Sequence, residues 1–163
     1  MRLPPSSPRN IFPYLSPPPS TFQTTTAKRT MATQSPTNLA INSKYRLNSG
    51  HQIPVLGYGV YQTPADVCES VSLHALKSGY RHIDSARVYR NEQPCADAMR
   101  KSGIDRSSIF FTSKVPPKDI SYDDAKKSIA STFSQTGLDY VDLYLLHAPY
   151  GGKEGRLGAW KRL

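Results

Sequence analysis

The stretch Gly79-Tyr80-Arg81-His82-Ile83-Asp84-Ser85-Ala86-Arg87-Val88-Tyr89-Arg90-Asn91-Glu92 decides the fold. It contains the end of one helix, a complete short strand and the start of another helix. Gly79 is suited to the left-handed backbone that closes a helix. Tyr80 to Ile83 reads as a strand, and an ionisable residue, Asp84, stands where it ends. Asn91 is an N-cap type and Glu92 suits the positive end of a helix dipole, so the spacing predicts a helix from about Glu92 to Ser102, stopped by Gly103.

The same unit repeats outward in both directions. Upstream, Val55 to Val60 reads as a first strand. Thr63-Pro64-Ala65-Asp66 then reads as a helix start, with Thr63 as cap and Pro64 in the first position. Cys68, Val71, Ala75 and Leu76 share one face of that helix. Ahead of it, Tyr45-Arg46-Leu47 and Gln52-Ile53 flank Asn48-Ser49-Gly50, a hairpin. Downstream, Ile109 to Ser113 is a strand ending at Lys114. A helix then starts at Ser121, carries Ala125, Ile129 and Phe133 on one face, and closes at Gly137. Val141 to Leu146 is a strand ending at His147, and Lys153 to Leu163 begins a fourth helix.

Strands alternating with helices imply a parallel sheet. Both a doubly wound sheet and a barrel fit that order. Asp84, Lys114 and His147 each close an apolar strand, 30 and 33 residues apart. One ionisable group at the end of each successive strand is how a barrel active site is assembled. Gly57-Tyr58-Gly59 lacks the third glycine of a dinucleotide-binding turn and is not followed directly by a helix, so the Rossmann reading is weak.

The net charge of +9 is uneven. Residues 1–65 hold six basic residues and no acid, whereas the rest hold 15 basic against 12 acidic residues. That distribution argues for a basic tail and against a nucleic-acid-binding face. Residues 1–44 contain eight prolines and no periodic apolar pattern, and are expected to be disordered. The tail suits a transit peptide, or an upstream extension of the reading frame ahead of Met31. A cytoplasmic location follows, or a mitochondrial one if the tail is a transit peptide. No run of apolar residues is long enough to span a membrane. Cys68 and Cys95 read as reduced helix residues.

The Gly79–Glu92 stretch closely resembles the second-strand signature of the aldo-keto reductases. Leu138-Asp139-Tyr140-Val141-Asp142-Leu143-Tyr144-Leu145-Leu146-His147-Ala148-Pro149 resembles their fourth-strand motif, and Phe111-Thr112-Ser113-Lys114-Val115 their third strand. The resemblance runs from about Tyr45 to the end. It implies NAD(P)H-dependent reduction of aldehydes or ketones by a tetrad of Asp84, Tyr89, Lys114 and His147. In that scheme Tyr89 is the acid that protonates the developing alkoxide. Lys114 supplies a positive charge that favours the phenolate. Asp84 holds Lys114, and His147 orients the substrate oxygen. The resemblance also implies cofactor contacts from Gly59, Val60, Tyr61 and Asp84. Val60 departs from the hydroxyl residue usual there, and Ala148 from a common Trp, which implies a wider pocket. Asn91 and Glu92 are read as a cap and a dipole partner.

The expected fold is therefore an incomplete TIM-type (β/α)8 barrel. Residues 45–163 form its first four strands behind an N-terminal β-hairpin, since a closed barrel needs about 250 residues. The cofactor is expected to be NADPH, with NADH admissible and no metal. The partner is a small carbonyl compound, with neither nucleic acid nor membrane. Two alternatives stay open: an inactive truncated fragment whose open half-barrel self-associates, and a non-catalytic nicotinamide-binding regulatory subunit.

Overall fold

A computed structural model of the chain describes residues 39–118 and 120–163. The expectation of disorder for the tail falls on residues 1–38, outside the described residues, except for its last few positions. Those positions, 39–43, include a turn in which the Ala40 N–H donates to Ser43 Oγ, 2.9 Å away.

Two antiparallel strands, β1 (Lys44–Arg46) and β2 (Gln52–Pro54), form the hairpin, with Tyr45 opposite Ile53. Then come β3 (Tyr58–Gly59), α1 (Ala65–Lys77), β4 (His82–Asp84), α2 (Glu92–Lys101), β5 (Phe110–Val115), α3 (Tyr122–Thr136), β6 (Leu143–Leu146) and α4 (Gly152–Trp160). Strands β3 to β6 pair in chain order, all parallel, in one four-stranded sheet. This is the alternating α/β arrangement that the sequence predicts, as an unclosed portion of a barrel with β3 and β6 at its edges.

The details differ in three places. The first strand shrinks to two residues, because the backbone bends at Val55-Leu56 before pairing with β4. The first helix starts one position later than expected: Pro64 occupies the cap and no side chain caps the helix. Single-turn 3-10 helices at Arg87–Tyr89 and Arg106–Ser108 were invisible as patterns because each is only three residues long. The third helix matches its signals. The Ser121 side chain accepts from the Asp124 N–H, and Gly137 at φ 62° closes it in the left-handed conformation that favours glycine.

Alternation along β5 organises the layers. Phe111, Ser113 and Val115 point toward the helices. Phe111 joins Val60, Cys68, Leu76, Ile83, Cys95, Met99 and Ile109 in the main core, and Val115 joins Ile120, Ala125 and Ala159 in a smaller one. The residues between them, Phe110, Thr112 and Lys114, face the other side of the sheet. His82 lies against both of the first two, its Nε2 being 2.9 Å from Thr112 Oγ1 and its ring 5.0 Å from that of Phe110. Truncating a fully buried residue such as Phe111 to Ala would cost about 3–5 kcal/mol.

Candidate active site

Because β3 to β6 are parallel, their C-terminal ends lie together. That end carries Gly59, Asp84, Lys114 and, one residue past β6, His147. The ammonium of Lys114 donates to Asp84 Oδ1 at 2.5 Å and to the Ser85 carbonyl at 2.8 Å. The lysine side chain is only 12% exposed, against 36% for Asp84, so the charge is held from below and open on one side. Asp84 Oδ2 has no protein partner among the described residues.

Tyr89 arrives from the 3-10 turn after β4. Its hydroxyl lies 3.4 Å from His147 Nε2, their rings meet edge to face, and Lys114 Nζ sits 5.1 Å from the tyrosine ring centre. The four residues nominated from the sequence are thus brought together. Burial pushes the His147 imidazole below its ordinary value of 6.5; the Lys114 charge adds to that and Asp84 opposes it. His147 is consequently neutral at neutral pH and can share a proton with a neighbouring oxygen.

A cleft of about 570 Å³ opens over this group, lined by Tyr61, Val88, Tyr89, Pro116, Pro117, Lys118 and His147. Its walls are mostly apolar with a few polar tips, as suits a small-molecule site. The Tyr61 ring packs 5.1 Å from that of Tyr89. Gln62 and Arg90, each immediately following one of these tyrosines, both adopt left-handed backbone at φ 59° and 60°. Such a conformation costs a non-glycine residue about 1–2 kcal/mol, so the surrounding packing holds both turns in place.

Of the residues nominated for the cofactor, Gly59 and Tyr61 reach this end of the sheet, and a side chain at Gly59 would meet nothing within 4 Å. Val60 does not face the cleft. Its side chain is fully buried in the core, its N–H donates to the Asp84 carbonyl, and its own carbonyl accepts from Asn91 Nδ2 and the Thr63 N–H.

Two neighbours have roles beyond those the sequence suggested. Asn91 sits at the N-cap of α2 but makes no side-chain cap bond. It donates to the carbonyls of Val60 and Thr63 and accepts from Ser85 Oγ, tying the loop after β3 to the end of β4. Glu92 stands in the first turn of α2, where a dipole partner is expected, and it is buried there. It is 2% exposed, and its Oε1 accepts from Ser113 Oγ at 2.6 Å and Thr132 Oγ1 at 3.0 Å. Thr132 Oγ1 is also 2.8 Å from Tyr144 OH. Glu92 therefore braces β5 from behind at the residue next to Lys114. The polar Ser113 within an apolar strand is the signal in the sequence that points to a buried partner.

A larger cavity, about 670 Å³, lies at the opposite end of the sheet between the hairpin and the starts of β5 and β6, lined by Lys44, His51, Ser107 and Tyr140 among others. It is remote from the convergent acid, base and cation just described. Among the described residues no group of three or more His, Cys, Asp or Glu side chains is placed to hold a metal, and no helix is long and apolar enough to cross a membrane.

Residues 56–158 match the Aldo/keto reductase family profile. Morphine 6-dehydrogenase of Pseudomonas putida is 41% identical over 115 residues, covering 71% of this chain and 39% of that protein. Glycerol 2-dehydrogenase (NADP(+)) of Saccharomyces cerevisiae is 42% identical over 103 residues, covering 63% of this chain and 32% of that protein. Among solved structures, an aldo/keto reductase from Brucella melitensis superposes with a TM-score of 0.71 at 42% identity, over 74% of this chain and 47% of that one. A Bombyx mori aldo-keto reductase in complex with NADP gives 0.68 at 26% identity, over 76% and 46%. The chain spans less than half the length of each of these proteins. With its strand-end residues, sheet order and matched span in agreement, the chain belongs to the aldo/keto reductase family.

Proposed function

We propose that residues 45–163 carry the proton-transfer half of an NADPH-dependent carbonyl reductase site. The observation that carries this reading is the convergence of Tyr89, Lys114, Asp84 and His147 beside one mostly apolar cleft. Bound nicotinamide would supply the hydride to the carbonyl carbon. Asp84 Oδ2 and the open backbone at Gly59 suit a ribose hydroxyl and the nicotinamide end, with Tyr61 beside them. Among the described residues, Lys118 is the one lysine or arginine in the cleft lining, so the phosphates and adenosine need contacts from elsewhere. The NADP-bound silkworm relative and the NADP(+)-dependent yeast relative support this choice of cofactor.

The chain's own residues divide the remaining work. Tyr89 Oη delivers its proton to the carbonyl oxygen as negative charge develops there. The Lys114 ammonium stabilises the charge left on Tyr89, in a setting where a partly desolvated cation acts more strongly than it would in water. Asp84 and the Ser85 carbonyl fix Lys114. His147, neutral, hydrogen-bonds the substrate oxygen from the other side. The apolar walls suit a small aldehyde or ketone.

The reading is tested in a chimaera in which residues 45–163 replace the matched segment of the Brucella melitensis reductase. It should oxidise NADPH in step with conversion of an aldehyde to its alcohol. A folded chimaera that binds NADPH yet reduces none of a panel of aldehydes and ketones would reject it. The open edges at β3 and β6 support a second inference about the 163-residue chain alone: it binds NADPH weakly and self-associates through unpaired strand edges. A monomer in size-exclusion chromatography that binds NADPH in the micromolar range would overturn that inference.

A further inference from the structure

Two residues outside the proposed site form a pair whose chemistry nothing above uses. Cys68 lies in the first turn of α1 and Cys95 in the first turn of α2. Both are free thiols, both are fully buried, and their sulfurs are 3.5 Å apart. The pair is not surrounded by hydrocarbon alone. Ser72 Oγ lies 3.8 Å from one sulfur and 3.9 Å from the other, and the Asn91 carbonyl is 3.9 Å from Cys68.

We propose that Cys68 and Cys95 form a modification site: a buried dithiol that a small peroxide closes to an intrachain disulfide bridging α1 and α2. The sulfurs are about 1.5 Å farther apart than the ~2.05 Å of a disulfide, a gap that side-chain rotation and a small approach of the helices can close. The pair is electrostatically asymmetric. The hydrogen bond between the two sulfurs draws the Cys68 thiol down to about 7 against the opposing effect of burial, while the same bond and burial push Cys95 up. Cys68 is therefore the attacking thiolate.

The steps balance. The Cys68 thiolate attacks one peroxide oxygen, the O–O bond breaks, and the departing hydroxide takes a proton to leave as water, giving a sulfenic acid. The Cys95 sulfur then attacks the Cys68 sulfur, the S–S bond forms, the S–O bond breaks, and the Cys95 proton leaves with the hydroxyl as a second water. Two thiols are oxidised by two electrons and one peroxide is reduced to two waters. Full burial sets the access: hydrogen peroxide can enter on small openings of the α1 start, whereas a bulky aromatic disulfide reagent cannot.

The 163-residue chain is exposed to hydrogen peroxide, quenched, unfolded, alkylated, digested and analysed by mass spectrometry. The expected product is one peptide pair joined through Cys68 and Cys95 within a single chain, with two alkylatable thiols restored by a reductant. In Cys95→Ala the Cys68 thiol loses the hydrogen bond that draws it down, so peroxide should consume it more slowly than it consumes the wild-type pair. In Cys68→Ala no intrachain link can form, and Cys95 should be recovered as a single alkylatable thiol after brief peroxide exposure. The native chain should react with hydrogen peroxide well before it reacts with the bulky reagent. Two alkylatable thiols after peroxide treatment, links only between chains, or oxidation of either sulfur to the sulfinic acid without a link would each overturn the proposal. The wild-type measurement stands even if a variant does not fold.

Discussion

The two ends of the sheet each hold an ion pair, and the pairs are built for different purposes. At the N-terminal end, Arg106 donates to Asp142 at 2.8 Å, to the carbonyls of Ile109 and Tyr140, and stacks 4.0 Å over the Tyr140 ring. Asp142 accepts in addition from the Phe111 N–H. Both charges there are spent on tying β5 to the segment before β6. At the C-terminal end, Lys114 is held by Asp84 and a single carbonyl, with a tyrosine, a neutral histidine and an open cleft next to it. A pair whose further bonds run to the surrounding backbone is scaffold. A pair that keeps an open side beside groups able to move a proton is suited to chemistry.

The sharpest way to break this contrast is kinetic. In the chimaera, Lys114→Met should lower kcat by about 10²–10⁴-fold, the range expected when general acid catalysis loses its support. Stability should fall only modestly: the substitution leaves Asp84 without its partner, but that carboxylate is 36% exposed and can take water in exchange. Steady-state kinetics with thermal melts of the same samples check both halves. A large fall in melting temperature with kcat preserved in the folded fraction would make Lys114 another scaffold cation.

Arg106→Ala is the mirror experiment. It should destabilise the fold by about 2 kcal/mol, the order of one charged hydrogen-bond group lost at a partly exposed site. The kcat of the folded protein should stay within about twofold, as expected of a substitution remote from the reacting atoms. Denaturant unfolding and kinetics together decide it. A loss of kcat comparable to that of Lys114→Met would erase the distinction between the ends.

What the sequence made legible follows the same division. Asp84, Lys114 and His147 stood out because each interrupts an apolar strand at its end, a pattern local to a few residues. Glu92 did not, because its partners lie 21 and 40 residues away and come together only when β5 and α3 pack on α2. Asn91 was placed at the right helix end but given the wrong bonds, since its carbonyl partners lie on the loop after β3. Val60 is a candidate by its motif position, yet its side chain, just past the end of β3, is fully buried in the core. Cys68 and Cys95 read as reduced helix residues and both are free thiols, but their pairing is not legible because proximity across two helices leaves no mark in either one.

A smaller effect sharpens the comparison through pH. Each end carries a histidine below its ordinary value: His147 near the cleft, and His82 at the start of β4, where burial dominates over the raising influences of Asp84, the Pro54 backbone and Asp142. A lowered folded value means that the unfolded chain binds the proton more readily. The stabilisation is then complete above the unfolded value of about 6.5 and is lost as pH falls through the folded values. The melting temperature should drop modestly between about pH 7.5 and about pH 5.5. His82→Gln and His147→Gln should each flatten part of that slope. A melting temperature that rises on acidification would contradict the assigned direction.

The central claim is that Tyr89 is the proton donor, and kcat measured alongside cofactor affinity in the Tyr89→Phe chimaera tests it most directly. The substitution removes one hydroxyl from a ring that keeps its packing against Tyr61 and His147. The account predicts a fall in kcat of about 10²–10⁴-fold, with NADPH affinity by fluorescence titration unchanged. An unchanged kcat, or equal losses of turnover and cofactor binding, would contradict it.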